Sequence, residues 1–291
     1  MKLTGTGIWS GQLRYGDAGV IAEAATELDE LGFDALWIPD VGGDVLESIE
    51  LLLGAAPRLA IATGILNVWM HEPEEVAQRR ASWSDAWKQR FLLGLGVSHA
   101  PLIDHGSPGR YQKPLAKMVQ YLDGLDAAPD PFPVDARVLA ALRPKMLGLA
   151  RDRAAGAHPY FVPPEHVARA REILGAAATI AVELAVVLDT EPSTARETAR
   201  RHTAVYVGLP NYTNNLREFG FGDRDFADKG SDRLVDAIVA WGDLDAIVER
   251  VAAMRAAGAD HVCLQVIRPD DDVPRADWRE LAAALIGPAR R

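Results

Sequence analysis

The sequence predicts an α/β fold, a (β/α)8 TIM barrel that forms a single domain over residues 1–291 and carries insertion segments. Three observations point there: eight short apolar runs rich in β-branched residues, helical patterns between them, and a chain of 291 residues with 48% apolar and 25% charged side chains. A doubly wound open sheet shows the same alternation, so periodicity alone leaves that alternative open.

Residues 2–9, KLTGTGIW, read as the first strand, and residues 17–31 as a helix with Val20, Ile21, Ala24, Leu28 and Leu31 at helical spacing and Gly32 as its stop. The second strand is FDALWIPD (33–40), followed by a helix over 44–56. The third is LAIATGIL (59–66), buried on both faces by its composition, yet Gly64 sits inside it, where a glycine weakens a strand and calls for a local reason. A helix over 74–87 follows, with Pro73 suited to its first turn. RFLLGLGV (90–97) is the fourth strand. Residues 98–112 have little periodicity and read as a long loop, of the kind that often carries function. A helix over 113–127 and a linker over 129–133 lead to strand five (136–142), a helix over 144–154, strand six (156–162), a helix over 164–174, strand seven (179–188) and a helix over 193–206. A polar, aromatic insertion (209–230) precedes helices over 231–241 and 243–257. The last strand is DHVCLQVI (260–267), and a helix over 278–286 closes the chain.

The formal charge of −10 repels polyanions, which argues against a nucleic-acid partner. No window approaches the roughly 18 uncharged apolar residues of a membrane span. The single cysteine, Cys263, lies in an apolar run and reads as a buried thiol in a reducing, cytoplasmic compartment.

Motifs exclude more than they assign. The phosphate loop GxxxxGK[ST] is absent; GLG at 94–96 has His99 where a third glycine is required; GVSHA (96–100) ends in Ala100 where a nucleophile elbow needs glycine. The seven histidines form no HExxH and have no CxxC beside them, so no metal site is expected. His166 and His202 read as helix-surface residues, while His99 and His158 fall at strand ends. In a barrel, chemistry gathers at the C-terminal strand ends. Here those ends carry Trp9, Ser10, Asp40, Gly64 to Asn67, Gly96 to His99, His158 to Tyr160 and Gln265, a surface suited to a large flat molecule more than to a two-carboxylate hydrolase. Asp40 reads either as a turn or cap residue or as a group holding a cofactor edge or a proton. The loop at Gly156 reads either as a tight turn into a strand or as a set of N–H groups for an anion.

Several stretches together, LGFDALWIPD, IATGILNV, RFLLGLGVSHAP, the segment 139–167, LPNYTNNLREFGF and the tail 234–267, resemble the bacterial luciferase-like superfamily, in particular its actinobacterial F420-dependent oxidoreductases. The resemblance covers nearly the whole chain. It implies a (β/α)8 barrel with coenzyme F420, or alternatively FMN, at its C-terminal mouth, acting on a small-molecule substrate, and commonly a homodimer. It further implies a bulge with a non-prolyl cis peptide at Gly64-Ile65 beneath the cofactor ring. Thr63, Gly64, Ile65, Asn67 and Asp40 would then border the ring, Gly96, Val97, Ser98 and His99 would line a wall, and Gly156, Ala157, His158, Pro159 and Tyr160 would take the phosphate. Arg79, Arg80, Lys88, Arg110, Lys113 and Lys117 are candidates for the cofactor's phosphate and glutamate tail. Two departures stand out: Val41 follows Asp40 where several relatives have histidine, and Ser98 and His99 stand where they have glutamate. His99, with a near-neutral pKa, and Asp40 are therefore expected as the catalytic pair. The activity implied is F420-dependent hydride transfer, with an FMN-dependent monooxygenase and a non-catalytic cofactor-binding barrel as alternatives.

Overall fold

The computed structural model describes residues 3–287; Met1, Lys2 and residues 288–291, which the first-strand and single-domain readings include, lie outside the described residues. The strands are β1 (Gly5–Trp9), β2 (Ala35–Ile38), β3 (Ala60–Thr63), β4 (Leu66–Asn67), β5 (Phe91–Gly96), β6 (Arg137–Leu139), β7 (Gly156–Ala157), β8 (Thr179–Val187), β9 (Val239–Trp241) and β10 (His261–Val266). All pairings are parallel. Because β10 pairs with both β1 and β8, the sheet closes into a barrel of eight staves, β3 and β4 together forming the third. Closure decides between the barrel and the open sheet.

The helices are α1 (Ala18–Leu31), α2 (Val45–Ala55), α3 (Pro73–Ala81), α4 (Asp85–Lys88), α5 (Ala100–Gly106), α6 (Pro114–Ala127), α7 (Pro144–Arg153), α8 (Pro164–Leu174), α9 (Pro192–Tyr206), α10 (Pro210–Arg217), α11 (Asp223–Phe226), α12 (Asp232–Ile238), α13 (Leu244–Ala256) and α14 (Arg275–Leu285). Their ends follow local chemistry: the carboxylates of Asp17, Asp44 and Asp243 accept first-turn N–H groups of α1, α2 and α13, and Gly32 ends α1 in the left-handed conformation. No helix among the described residues is long and apolar enough to cross a membrane.

Six expectations need correction. The long loop at 98–112 contains α5, and the insertion at 209–230 folds into α10 and α11. The helix expected over 74–87 breaks into α3 and α4, because the Ser84 hydroxyl accepts the Trp87 N–H and starts a new turn. The helix expected over 231–241 stops at Ile238, and Val239–Trp241 instead extends the sheet beside the upper half of β8. The sixth strand keeps only Gly156–Ala157. His166 and His202 are buried, not on helix surfaces: His166 Nε2 lies 2.8 Å from the Leu142 carbonyl, and His202 packs among Phe161 and Tyr206.

Alternation along β8 sorts the cores. Ile180, Val182, Leu184 and Val186 join the apolar layer between barrel and helices, while Ala181 faces the interior with Ala35, Ala60, Ala62, Val138 and Cys263. These small residues make room for Trp37, which stacks on His158 at 4.3 Å and is fully buried. A separate cluster above the barrel joins the top of β8 and β9 to α9, α10 and α12.

The third stave is irregular for a countable reason. Ala62 faces Leu92 and Leu66 faces Leu95, so residues 63–65 stand opposite 93 and 94, one residue too many. The Thr63 hydroxyl repairs the interrupted ladder, accepting the Gly94 N–H at 2.9 Å and donating to the Gly94 carbonyl at 2.8 Å. The strands are then so close that a Cβ on Gly94 would overlap the Thr63 carbonyl oxygen. Gly94→Ala is expected to lower the unfolding free energy by at least about 2 kcal/mol in urea melts, because backbone cannot swing away. A loss under about 0.5 kcal/mol would contradict this approach.

Glu183, on the interior side of β8, accepts the Phe161 N–H through Oε2 but has no partner for Oε1, and burial pushes its pKa up to about 8. It is a neutral acid inside the fold at pH 7. Between the ordinary value of 4.5 and about 8 the unfolded chain has lost this proton and the folded chain keeps it, so stability falls as pH rises through that window. Relative to Glu183→Gln, the wild type is expected to lose about 1.4 kcal/mol per pH unit there and to level off above it. A constant difference from pH 5 to 8 in parallel denaturant melts would refute a neutral Glu183.

Candidate active site

Directly above the Thr63–Gly94 junction the bulge opens. The Gly64-Ile65 peptide is cis, and both residues are half-buried, whereas Thr63 and Leu66 on either side are fully buried. Gly64 donates its N–H to the Ile38 carbonyl at 2.8 Å, and its own carbonyl accepts the Trp9 indole N–H at 3.1 Å. A Cβ on Gly64 would lie 2.5 Å from Trp9 Nε1, so here the glycine makes room for Trp9 behind it. The cis peptide is thus partly exposed at the C-terminal end of the third stave.

Asp40 and Asn67 lie beside it. Asp40 Oδ2 accepts the Asn67 N–H at 2.9 Å and lies 2.8 Å from His71 Nε2, a pairing that raises the pKa of His71 against the pull of partial burial. Asn67 in turn accepts the Trp69 N–H, and the Trp69 indole donates to the Val97 carbonyl at 2.8 Å, which ties the third stave to the top of β5.

The adjoining wall is Gly96 to His99, next to Asn67 because Asn67 pairs with Gly96. Gly96 is buried; Val97, Ser98 and His99 are half-buried, and Ser98 takes a positive φ of 54°. The Ser98 carbonyl accepts from Tyr111 at 3.3 Å and from the Asn211 amide at 3.2 Å, and Asn211 also lies 3.3 Å from His99 Nδ1. Tyr212 of α10 packs against the His99 ring. The insertion therefore reaches the mouth, and its Asn211 and Tyr212 close this wall. The expected near-neutral titration of His99 is not found: desolvation under these neighbours pulls its pKa down to about 4, which makes it a neutral hydrogen-bonding group at pH 7.

The segment Gly156 to Tyr160 is not the open anion cradle that was expected. Gly156 and Ala157 belong to the ladder with β6 and β8, and the His158 N–H donates to the Leu139 carbonyl. Pro159 is buried, and His158 is fully inside the barrel, with Nδ1 at 2.7 Å from the Ala181 carbonyl. Only Tyr160 reaches the mouth, where its hydroxyl donates to Gln265 at 2.6 Å and meets the Tyr206 hydroxyl at 2.8 Å, with Trp9 against its ring.

The six candidate cations separate into two groups. Arg79 pairs with Glu50 and Asp44, Lys88 with Asp130, and Arg80 lies buried over the Phe132 ring. Arg110 instead donates to the Trp69 carbonyl, and the Lys117 ammonium stands 5.5 Å over the Trp69 ring. Lys113, between them in sequence, is exposed and takes a left-handed backbone at the start of α6. The loops after β1, β2, β4 and β5 expose Tyr15, Val41, Met70 and Leu102, giving the rim apolar character.

His71 escaped the sequence reading. Position was its only signal, since it lies four residues beyond a strand end, and nothing local reveals that Asp40 awaits it 31 residues upstream.

The mouth of this parallel barrel thus places a half-exposed cis peptide in the third stave among the polar groups of Asp40, Asn67, Ser98 and His99. Residues 3–261 match the luciferase-like monooxygenase family, and the chain belongs to it. Among relatives, it is 30% identical over 90 residues to a 4-hydroxyprotoasukamycin monooxygenase of Streptomyces nodosus subsp. asukaensis, a match spanning 28% of this chain and only 24% of that one. Among solved structures, an F420-dependent secondary alcohol dehydrogenase in complex with an F420-acetone adduct superposes with a TM-score of 0.73 over 100% of both chains at 16% identity. The FMN-bound oxygenating constituent of 3,6-diketocamphane monooxygenase from Pseudomonas putida does so with 0.69 over 99% of this chain and 98% of that one, also at 16% identity. At such identity these likenesses show the fold.

An NMR titration of the His99 ring, assigned by loss of its signal in His99→Gln, is expected to show a midpoint near pH 4. A midpoint between pH 6 and 7 would mean that Tyr212 and Asn211 do not cover it.

Proposed function

We propose that this protein is an F420-dependent oxidoreductase that moves a hydride between the deazaflavin and a small organic substrate at the mouth of the barrel. The residues present suit a planar ring: Gly64 and Ile65 are half-exposed, Asp40 and Asn67 hydrogen-bond to each other beside them, and Ser98 and His99 follow on the adjoining stave. When bound in its reduced form, F420 supplies the hydride from its C5.

The observation that favours F420 over FMN is the basic group at Trp69. In a chain of net charge −10, Arg110 and Lys117 stand at Trp69 with exposed Lys113 between them in sequence, and Arg79, Arg80 and Lys88 are drawn off by structural partners. A local positive focus of this kind suits an anionic tail of phosphate and glutamates, which F420 has and FMN lacks beyond one phosphate. The chain's own contribution is placement: the bulge fixes the ring plane, Trp69 and the Asn211–Ser98 contact narrow access of water from the sides, and neutral His99 offers a hydrogen bond to the ring edge or to the substrate.

Titration of the purified protein by fluorescence and absorbance is expected to give F420 at least about tenfold tighter than FMN, a margin of about 1.4 kcal/mol. The preference should shrink with added salt and in the Arg110→Ala, Lys113→Ala, Lys117→Ala triple variant. Tighter binding of FMN, with no effect of the triple variant, would favour the flavin monooxygenase reading.

A further inference from the structure

His71 is joined to the border of the bulge through Asp40. Its Nε2 is 2.8 Å from Asp40 Oδ2, the same oxygen that receives the Asn67 N–H beside the bulge. The Asp40 side chain is 4% exposed and that of His71 19%, so the carboxylate is sealed behind the imidazole while the imidazole opens outward. Nδ1 has no protein partner among the described residues, which leaves it available to a ligand.

Other polar groups around the bulge are locked in one protonation state near neutral pH. Burial pulls His99 and His158 down to about 4, and pushes Tyr111, Tyr160, Tyr206 and Tyr212 upward. Glu183 titrates nearer neutrality, but it is 2% exposed and is held behind Phe161, whose N–H it accepts. His71 alone among the described histidines is shifted upward. Its hydrogen bond to Asp40 is the largest cause, opposed by partial burial and reinforced by the charges of Asp40, Asp44 and Glu75. The nearby cation Arg79 is already paired with Glu50 and Asp44.

The geometry points to His71 as the catalytic acid and base that exchanges the proton accompanying hydride transfer, with Asp40 as its positioning residue; this rests on the hydride-transfer reading above. In the reducing direction, the substrate carbon of a C=O or C=N bond gains the hydride, and the π pair moves to the heteroatom. That atom takes the Nδ1 proton of the His71 imidazolium. The reduced cofactor is the two-electron donor; His71 is left neutral with its Nε2–H still on Asp40, and it regains a proton from solvent through its exposed edge. Asp40 remains a carboxylate throughout. The oxidising direction reverses each of these movements, with neutral His71 as the base.

Two measurements test this. In the ligand-free protein, NMR should place the His71 midpoint above 6.5 and should move it down in Asp40→Asn, where the asparagine oxygen still accepts the Asn67 N–H. In stopped flow, reduced F420 saturating the protein should be oxidised by the probe ketone cyclohexanone at a rate that falls as pH rises through that midpoint. His71→Gln should slow it about 100-fold and flatten the profile, and Asp40→Asn should carry the falling limb to lower pH. A His71→Gln profile equal to that of the wild type overturns the proton role alone, as does a midpoint that Asp40→Asn leaves in place. Absence of F420 binding, read separately from fluorescence, overturns the cofactor reading and the proton role with it.

Discussion

One hydroxyl holds the architecture of the mouth together. A closed parallel barrel has no free edge at which to absorb an extra residue, so the surplus in the third stave leaves the neighbouring peptide of Gly94 without ladder partners on that side. Thr63 Oγ1 supplies both missing partners at once, as acceptor and as donor. With that repair in place, the chain can leave the ladder at Gly64 and Ile65 and rejoin it at Leu66 without opening the barrel. Asp40, Asn67, Trp69 and Val97 are then linked in one run of hydrogen bonds around the bulge. The candidate site is the upper face of this repaired defect.

The interior and the rim treat ionisable groups in opposite ways. Below the bulge, His158, His261 and Glu183 are sealed and kept neutral by loss of solvation, and each is anchored by a main-chain hydrogen bond, which satisfies polarity without charge. At the rim, the Asp40 carboxylate lies 2.8 Å from His71 and favours the charged imidazolium. A charge-free floor beneath a charge-bearing edge lets the field at the ligand be set by a few residues at the mouth, undisturbed by buried charges below.

Much of the fold was legible because it rests on period and punctuation. Seven of the eight staves fall within their expected runs and the third overruns its own by Asn67, while Gly64 stood out as a glycine in a run that otherwise had no use for one. Where the reading failed, tertiary partners decided the outcome. Val239–Trp241 became a strand because the upper half of β8 had an unpaired edge, and His202 went inward because Phe161 and Tyr206 enclose it. The site was legible as a location, the strand ends, but less so as a set of roles. Residues 156–159 and His99 were misjudged because burial cannot be read from a loop's composition, and the Asp40–His71 pair joins segments with no local mark of their meeting.

The upper cluster of β9, α10 and α12 has its own apolar core, separate from the one around the staves, yet touches the mouth mainly through Asn211 and Tyr212. Floor and ceiling are thus built from different packing units. Substitutions within the upper cluster therefore leave the packing beneath the cis peptide in place.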